Sequence, residues 1–261
     1  MNKIYLFVCF IYNSLFSFYE KTYLLKKKFS NYQSQIHTEG YELINFENQY
    51  LNLFHEKEIN MNNYMKKYIL NRKDIYSSLN KLFNKYKLKK IITEKTGYNY
   101  SIDYIICYTT FKVPNLEKDK DLYANKWHYD KPFTQNTLKL IIPLNESNDH
   151  NGGIEILNKM QTKKFKKGKL NIDENYFIMK SKLNNILLFL PNLCLHKAGN
   201  PNLEEGRKQI MIQLNPSKKW CLNKNIYEKQ FKIEPKFPYF SYFFDKKIDF
   251  NNDPTIDLND I

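Results

Sequence analysis

Cysteine is scarce, with four in 261 residues. They stand at 9, 107, 194 and 221, and no two form a C-x-x-C pair. That excludes a disulfide framework and a cysteine-rich zinc site, and points to reduced thiols in a cytoplasmic protein. Glycine (7) and proline (9) are also sparse and no fixed-period repeat occurs, which excludes low-complexity and repeat architectures. Acidic residues are outnumbered, 27 against 41 Lys and Arg, for a formal net charge of +14. Such an excess admits nucleic acid, an anionic membrane or an anionic substrate as partners. No single basic run dominates, however. The densest, 26–28 and 163–169, lack the interleaved aromatics of a single-strand binder. Lys, Asn, Ile and Tyr, all with AT-rich codons, crowd the chain, and coding bias accounts for much of the charge. No nucleic-acid partner is expected.

A long apolar run is missing too. Residues 4–19 are strongly apolar, but fall short of the roughly 20 residues of a membrane span and contain Asn13, Ser14 and Ser17. No A-x-A-like cleavage site follows. The segment reads as an amphipathic helix packed on the domain, with an interfacial membrane helix or signal anchor as the alternative.

What is present is a 42% hydrophobic content, enough for one sizeable domain with an internal core. Residues 1–35 read as a helical extension and 36–216 as the main domain. Residues 217–261 read as a wrapping tail, aromatic at 237–244 and disordered over its last ten residues. Within the main domain, 40–46 reads as a short strand and 47–70 and 73–95 as helices. In the second helix Ile75, Leu79, Leu82, Phe83 and Tyr86 recur at helical spacing. After Gly97 the period changes. Strands are expected at 101–113, 138–144, 153–157, 176–179, 186–190 and 209–214, with a strong turn at Asn151-Gly152-Gly153. This is an α+β chain whose β part is a sandwich or a curled barrel.

Five histidines occur, and two stand in unusual company. In Trp127-His128-Tyr129-Asp130, a His and an Asp two apart on an extended strand point to one face, and so reach one metal ion. Imidazole plus carboxylate suits Fe(II) and similar borderline ions. His196 follows an apolar run and a turn at Pro191-Asn192, and Arg207 leads into the strand beyond. A third ligand from this distant strand completes two His and one carboxylate, leaving the opposite face open. An arginine beside it supplies a rigid fork for a dicarboxylate. H-x-D alone is weak. Its order with an apolar strand, Asn-Gly-Gly, a second apolar strand, a distal His and an Arg is a far stronger signal.

That order, Trp127-His128-x-Asp130, residues 138–144, Asn151-Gly152-Gly153, Leu188-Phe189, His196 and Arg207, resembles the phytanoyl-CoA dioxygenase family. The segment from Glu39 to Phe46 resembles the strand that opens that family's domain, and the resemblance covers about residues 35–216. It implies a double-stranded β-helix (jelly-roll) barrel with flanking helices. It further implies Fe(II) held by His128, Asp130 and His196, and 2-oxoglutarate anchored on Arg207. The reaction implied is an O2-dependent hydroxylation of a small molecule, possible substrates including anionic ones, with release of succinate and CO2. The Asp130 carboxylate favours hydroxylation over halogenation, since related halogenases lack it. Two stretches depart from the family. Leu157-Asn158-Lys159-Met160 replaces a Pro-Gly-Ser-His-like stretch, and Ala198 stands where Ser is common. Both border substrate or cosubstrate, so the substrate is not carried over.

Other residues carry competing readings. Lys139, a charge inside Leu-Lys-Leu-Ile-Ile, either aims at a carboxylate or phosphate or sits on a solvent-facing edge. Trp127 either walls the iron pocket or packs in the core. Tyr108 either hydrogen-bonds the cosubstrate or packs. His150 reads as solvated, and His37 and His55 as structural or exposed. Three alternatives keep the fold and change the function. A nucleic-acid dealkylase is disfavoured by Gln213, which stands where those enzymes carry a second arginine. A degenerate, non-catalytic jelly-roll binding protein is disfavoured by the intact ligand set. A zinc or manganese hydrolase or isomerase leaves Arg207 without a role.

Overall fold

The computed structural model describes residues 11, 14–15, 18–25, 34–45, 53–128, 130, 135–146, 148, 150–172, 176–180, 185–231 and 255–258. Most of the apolar segment 4–19 and all of the aromatic stretch 237–244 lie outside them. No helix among the described residues is long and apolar enough to cross a membrane.

Among the described residues, twelve strands form two sheets. In chain order they are β1 (Tyr41–Asn45), β2 (His55–Asn62), β3 (Met65–Leu70), β4 (Asn99–Thr110), β5 (Leu138–Pro143), β6 (Glu155–Ile156), β7 (Phe177–Ile178), β8 (Asn185–Phe189), β9 (His196–Lys197), β10 (Arg207–Ser217), β11 (Cys221–Asn223) and β12 (Thr255–Asp257). The large sheet runs β1-β8-β5-β10-β4-β11-β12, with β3 also on β4 and β2 outside β3. The small sheet runs β7-β6-β9, and an isolated bridge joins His128 to His196 beside it. This is the α+β double-stranded β-helix expected.

Period-two alternation sorts the residues of the large sheet between two cores. Along β10, Ile210, Ile212 and Leu214 join a cluster with Leu138, Leu140 and Ile142 of β5 and with the helical residues Ile75, Leu79, Leu82 and Phe83. Met211 points the other way, onto a second cluster of Ile141, Ile154, Ile156, Met179, Leu187, Phe189 and Cys194. This second cluster fills the space between the sheets. Each fully buried Ile or Leu contributes about 1.5–3 kcal/mol of hydrophobic stabilisation before conformational entropy is charged against it.

The expected helix over 73–95 is present in three pieces. Asn71 caps Arg72–Asn80 by accepting from the Lys73 amide. A π-helical turn, Lys81–Lys85, follows, then a helix Leu88–Thr96 that ends on Gly97 at φ 80°. The expected helix over 47–70 is absent: its described part is the β2–β3 hairpin. The end of the chain differs as well. Thr255–Asp257 pairs antiparallel with β11, within the stretch expected to be disordered.

Candidate metal centre

His128, Asp130 and His196 come together, with one ligand atom from each within 4.8 Å of the others. His196 sits on β9, and its backbone exchanges N–H···O bonds with His128 at 2.9 and 2.8 Å. This bridge brings the two imidazole rings to a centroid separation of 4.4 Å. The Asp130 amide donates to the Pro191 carbonyl, which ties the carboxylate to the turn before His196. Thus His128 and Asp130 share a face without lying on one continuous strand.

Hydrogen bonding settles which ring nitrogens face inward. His128 Nδ1 lies 2.7 Å from the Lys126 carbonyl oxygen and His196 Nδ1 lies 2.9 Å from that of Cys194. A carbonyl only accepts, so Nδ1 is the donor in each ring, and Nε2 is the nitrogen turned toward Asp130. Both Nε2 atoms face one oxygen of Asp130, Oδ1, at 3.8 and 3.7 Å. Around an ion with bonds of roughly 2.1 Å, neighbouring ligand atoms stand about 3 Å apart, so small side-chain rotations complete the set. Two imidazoles and a carboxylate on one face fit a borderline divalent ion such as Fe(II).

Electrostatics hold these groups in metal-binding form. Burial pushes the His196 imidazole down to about 3, with the nearby Asp130 charge opposing and Lys139 and His128 adding to the shift. Burial alone would raise the Asp130 carboxyl. The Lys139 ammonium, through its charge and its hydrogen bond, leads the effects that outweigh it, and the group is held below the usual carboxylate range.

Arg207 opens β10 on the same face as Gln209 and Met211, the face directed between the sheets. That interior reaches the centre through Phe189, whose ring packs edge-on against His196 at 4.9 Å. Arg207 is 1% exposed, and burial lowers its guanidinium pKa while Tyr108, Tyr123 and Glu155 oppose the shift. Nη1 donates to the Gly152 carbonyl; Nε and Nη2 are buried with no partner among the described residues. A permanently charged fork, buried and half satisfied, is the chemistry that receives a carboxylate.

The expected turn at Asn151-Gly152-Gly153 builds this anchor. Gly152 has φ +77°, and a Cβ there would meet the Gly199 carbonyl oxygen at 2.6 Å. A Cβ on Gly199 would meet the Gly153 oxygen at 2.3 Å. Only glycines let the two loops close behind Arg207.

The remaining candidates divide. Tyr108 lies opposite Gln209 in the β4–β10 register, and its hydroxyl accepts from the Gln209 side chain, close to Arg207. Lys139 lies inside the barrel and pairs with Asp130, so it is no solvent-facing edge charge. The Trp127 ring meets Tyr176 at 5.4 Å and carries the Lys197 ammonium at 5.2 Å. Lys197 in turn pairs with Glu155 at 2.9 Å, a residue sequence reading passed over. Gln209 was also passed over, although period-two spacing from Arg207 was the signal for it. His150 is exposed, His55 pairs with Glu58 at 3.5 Å, and His37 is exposed on a short helix, all away from the centre.

Asn158 caps the helix Lys159–Lys166 in a capping box with Gln161. The Ala198 amide donates to the Ala124 carbonyl.

No protein-family model matches the chain, and no curated protein matches it. Solved structures do. The barrel shares its fold with SnoN. That protein is a non-haem alpha-ketoglutarate-dependent epimerase from nogalamycin biosynthesis. The match has a TM-score of 0.52 at 10% identity and covers 70% of this chain and 80% of SnoN. HygX from Streptomyces hygroscopicus, solved with nickel and 2-oxoglutarate, matches at TM-score 0.45 and 10% identity over 72% of this chain and 88% of its own. EctD from S. alaskensis matches at 0.48 and 14% over 74% and 80%. At these identities the likeness is one of fold.

Proposed function

We propose that this chain is an Fe(II)- and 2-oxoglutarate-dependent dioxygenase of the phytanoyl-CoA dioxygenase type, which hydroxylates a small molecule. One observation carries the reading. A His–Asp–His set and a buried arginine with two orphaned guanidinium nitrogens face the same barrel interior. A zinc hydrolase on such a barrel uses the first feature and leaves the second unexplained.

His128, Asp130 and His196 would hold the iron. Bound there, it supplies O2 activation coupled to oxidative decarboxylation of 2-oxoglutarate to succinate and CO2. The protein's own residues do the rest. Neutral His196 presents its lone pair without a proton to expel. Arg207 receives the distal carboxylate of 2-oxoglutarate on Nε and Nη2. Tyr108 and Gln209 fix the wall beside that carboxylate and keep its position. Ile141, Leu187 and Phe189 exclude water from the interior. Asp130 fills the position that a halide needs, which favours hydroxylation. Gln213 stands where nucleic-acid dealkylases carry a second arginine, which supports a small-molecule substrate. Cys107, Cys194 and Cys221 are buried free thiols, which suits the cytoplasm.

The test is succinate formation from 2-oxoglutarate by purified protein with Fe(II) and air, measured by NMR with and without candidate small molecules. Iron-dependent succinate that disappears in Asp130→Ala is expected. Iron-independent turnover, or none across a broad metabolite set with folded and iron-loaded protein, contradicts it.

A further inference from the structure

The two oxygens of Asp130 have different neighbours. Oδ1 faces both histidines, at 3.8 and 3.7 Å. Oδ2 pairs with the Lys139 ammonium. Lys139 is in the middle of β5, opposite Phe189 of β8 on one side and Gln213 of β10 on the other. Its side chain is 12% exposed. An ammonium held among apolar strands is costly unless a fixed opposite charge meets it. Among the described residues, Lys139 is the side chain that donates to Oδ2, and Oδ2 is the carboxylate oxygen that meets Lys139.

We infer that Lys139 is a positioning residue that pins Oδ2, so that Asp130 offers the metal a single oxygen. The inference rests on the metal-centre reading above and adds a role that reading does not contain. A carboxylate free to rotate can chelate an ion through both oxygens and fill a position that a cosubstrate needs. A charged donor on Oδ2 removes that option and fixes the direction of Oδ1, as outer partners of metal ligands do. Charge points the same way, since the Lys139 ammonium offsets the negative charge that Asp130 carries in a poorly hydrated interior.

The test is Co(II) binding to metal-free protein without 2-oxoglutarate, followed by visible absorption. Leaving out the cosubstrate separates this role from direct contact between Lys139 and a cosubstrate carboxylate. Lys139→Met is expected to weaken Co(II) binding by roughly 10–100-fold and to change the d–d band shape at saturation. Lys139→Arg, which keeps the donor charge, is expected to restore most of both. Circular dichroism and melting confirm folding, and Lys139→Gln replaces Lys139→Met if the latter does not fold. Equal or tighter Co(II) binding with an unchanged band in the folded variant overturns the inference and leaves the metal centre standing. Wild-type protein that binds no Co(II), or binds it equally well after His196→Ala, overturns the metal-centre reading itself.

Discussion

Arg207 donates through Nη1 to the carbonyl oxygen of Gly152, and its Nε and Nη2 stay buried without partners among the described residues. The pairing ties the first residue of β10 to the turn before β6. Charged hydrogen bonds from a rigid fork contribute about 1.5–3 kcal/mol each. Arg207→Met is therefore expected to weaken 2-oxoglutarate binding by on the order of 100-fold or more, measured by calorimetry on metal-loaded protein. In wild type a saturating ligand at 100 times its Kd adds about 2.7 kcal/mol of stability. That increment should vanish in Arg207→Met, while the ligand-free melting temperature should hold or rise, because an uncompensated buried charge has been removed.

The His196 imidazole, pushed down to about 3, makes the metal-free fold sensitive to acid. An unfolded histidine protonates near pH 6.5, whereas His196 in the fold stays neutral. Below pH 6.5 the unfolded chain therefore binds the extra proton, and stability falls as pH falls toward 3, by up to about 1.4 kcal/mol per pH unit for one proton. Asp130, held below its ordinary value, adds loss only below about pH 4. Urea melts in chelator from pH 7 to 4.5 should show the slope, and a flatter one in His196→Gln. Equal slopes in wild type and His196→Gln would mean that His196 titrates normally.

Gly199 stands where a Cβ would lie 2.3 Å from the Gly153 oxygen, and the neighbouring atoms are backbone. Gly199→Ala should cost about 1–3 kcal/mol or more by overpacking. It should also weaken 2-oxoglutarate binding without a matching loss of metal affinity, since the loop it displaces carries the Gly152 carbonyl. Chemical denaturation and calorimetry together separate the two effects.

Trp127 packs with Tyr176 and Lys197. Trp127→Ala should lower stability by about 1–3 kcal/mol through lost aromatic and cation–π contacts. Co(II) affinity should stay within a few-fold of wild type. A loss comparable to that of His128→Ala would place the indole at the metal instead.

Much of this architecture was legible in residue order. Alternation marked β4, β5 and β10, because each buries one face on the helices and the other in the barrel. Asn151-Gly152-Gly153 marked the turn, because its geometry needs glycine. The β2–β3 hairpin was not legible. β2 (His55–Asn62) is an edge strand, mostly exposed and rich in charge, so no period-two pattern exists to read. Its turn is set by the Asn62 side chain accepting from the Tyr64 amide, a contact that a run of Asn and Lys does not announce. The ligand set was legible as an ordered motif. Which way Trp127 faces, and that Lys139 meets Asp130, depend on how the small sheet closes over the large one.

The most direct measurement is the visible absorption of anaerobic protein with Fe(II) and 2-oxoglutarate. Chelation of the ion by the cosubstrate's keto and carboxylate oxygens produces a weak metal-to-ligand charge-transfer band. The band should appear in wild type, disappear in His196→Ala and need far more 2-oxoglutarate in Arg207→Ala. Folded wild-type protein that shows no such band, or shows it unchanged in His196→Ala, would contradict an iron and 2-oxoglutarate site at His128, Asp130 and His196.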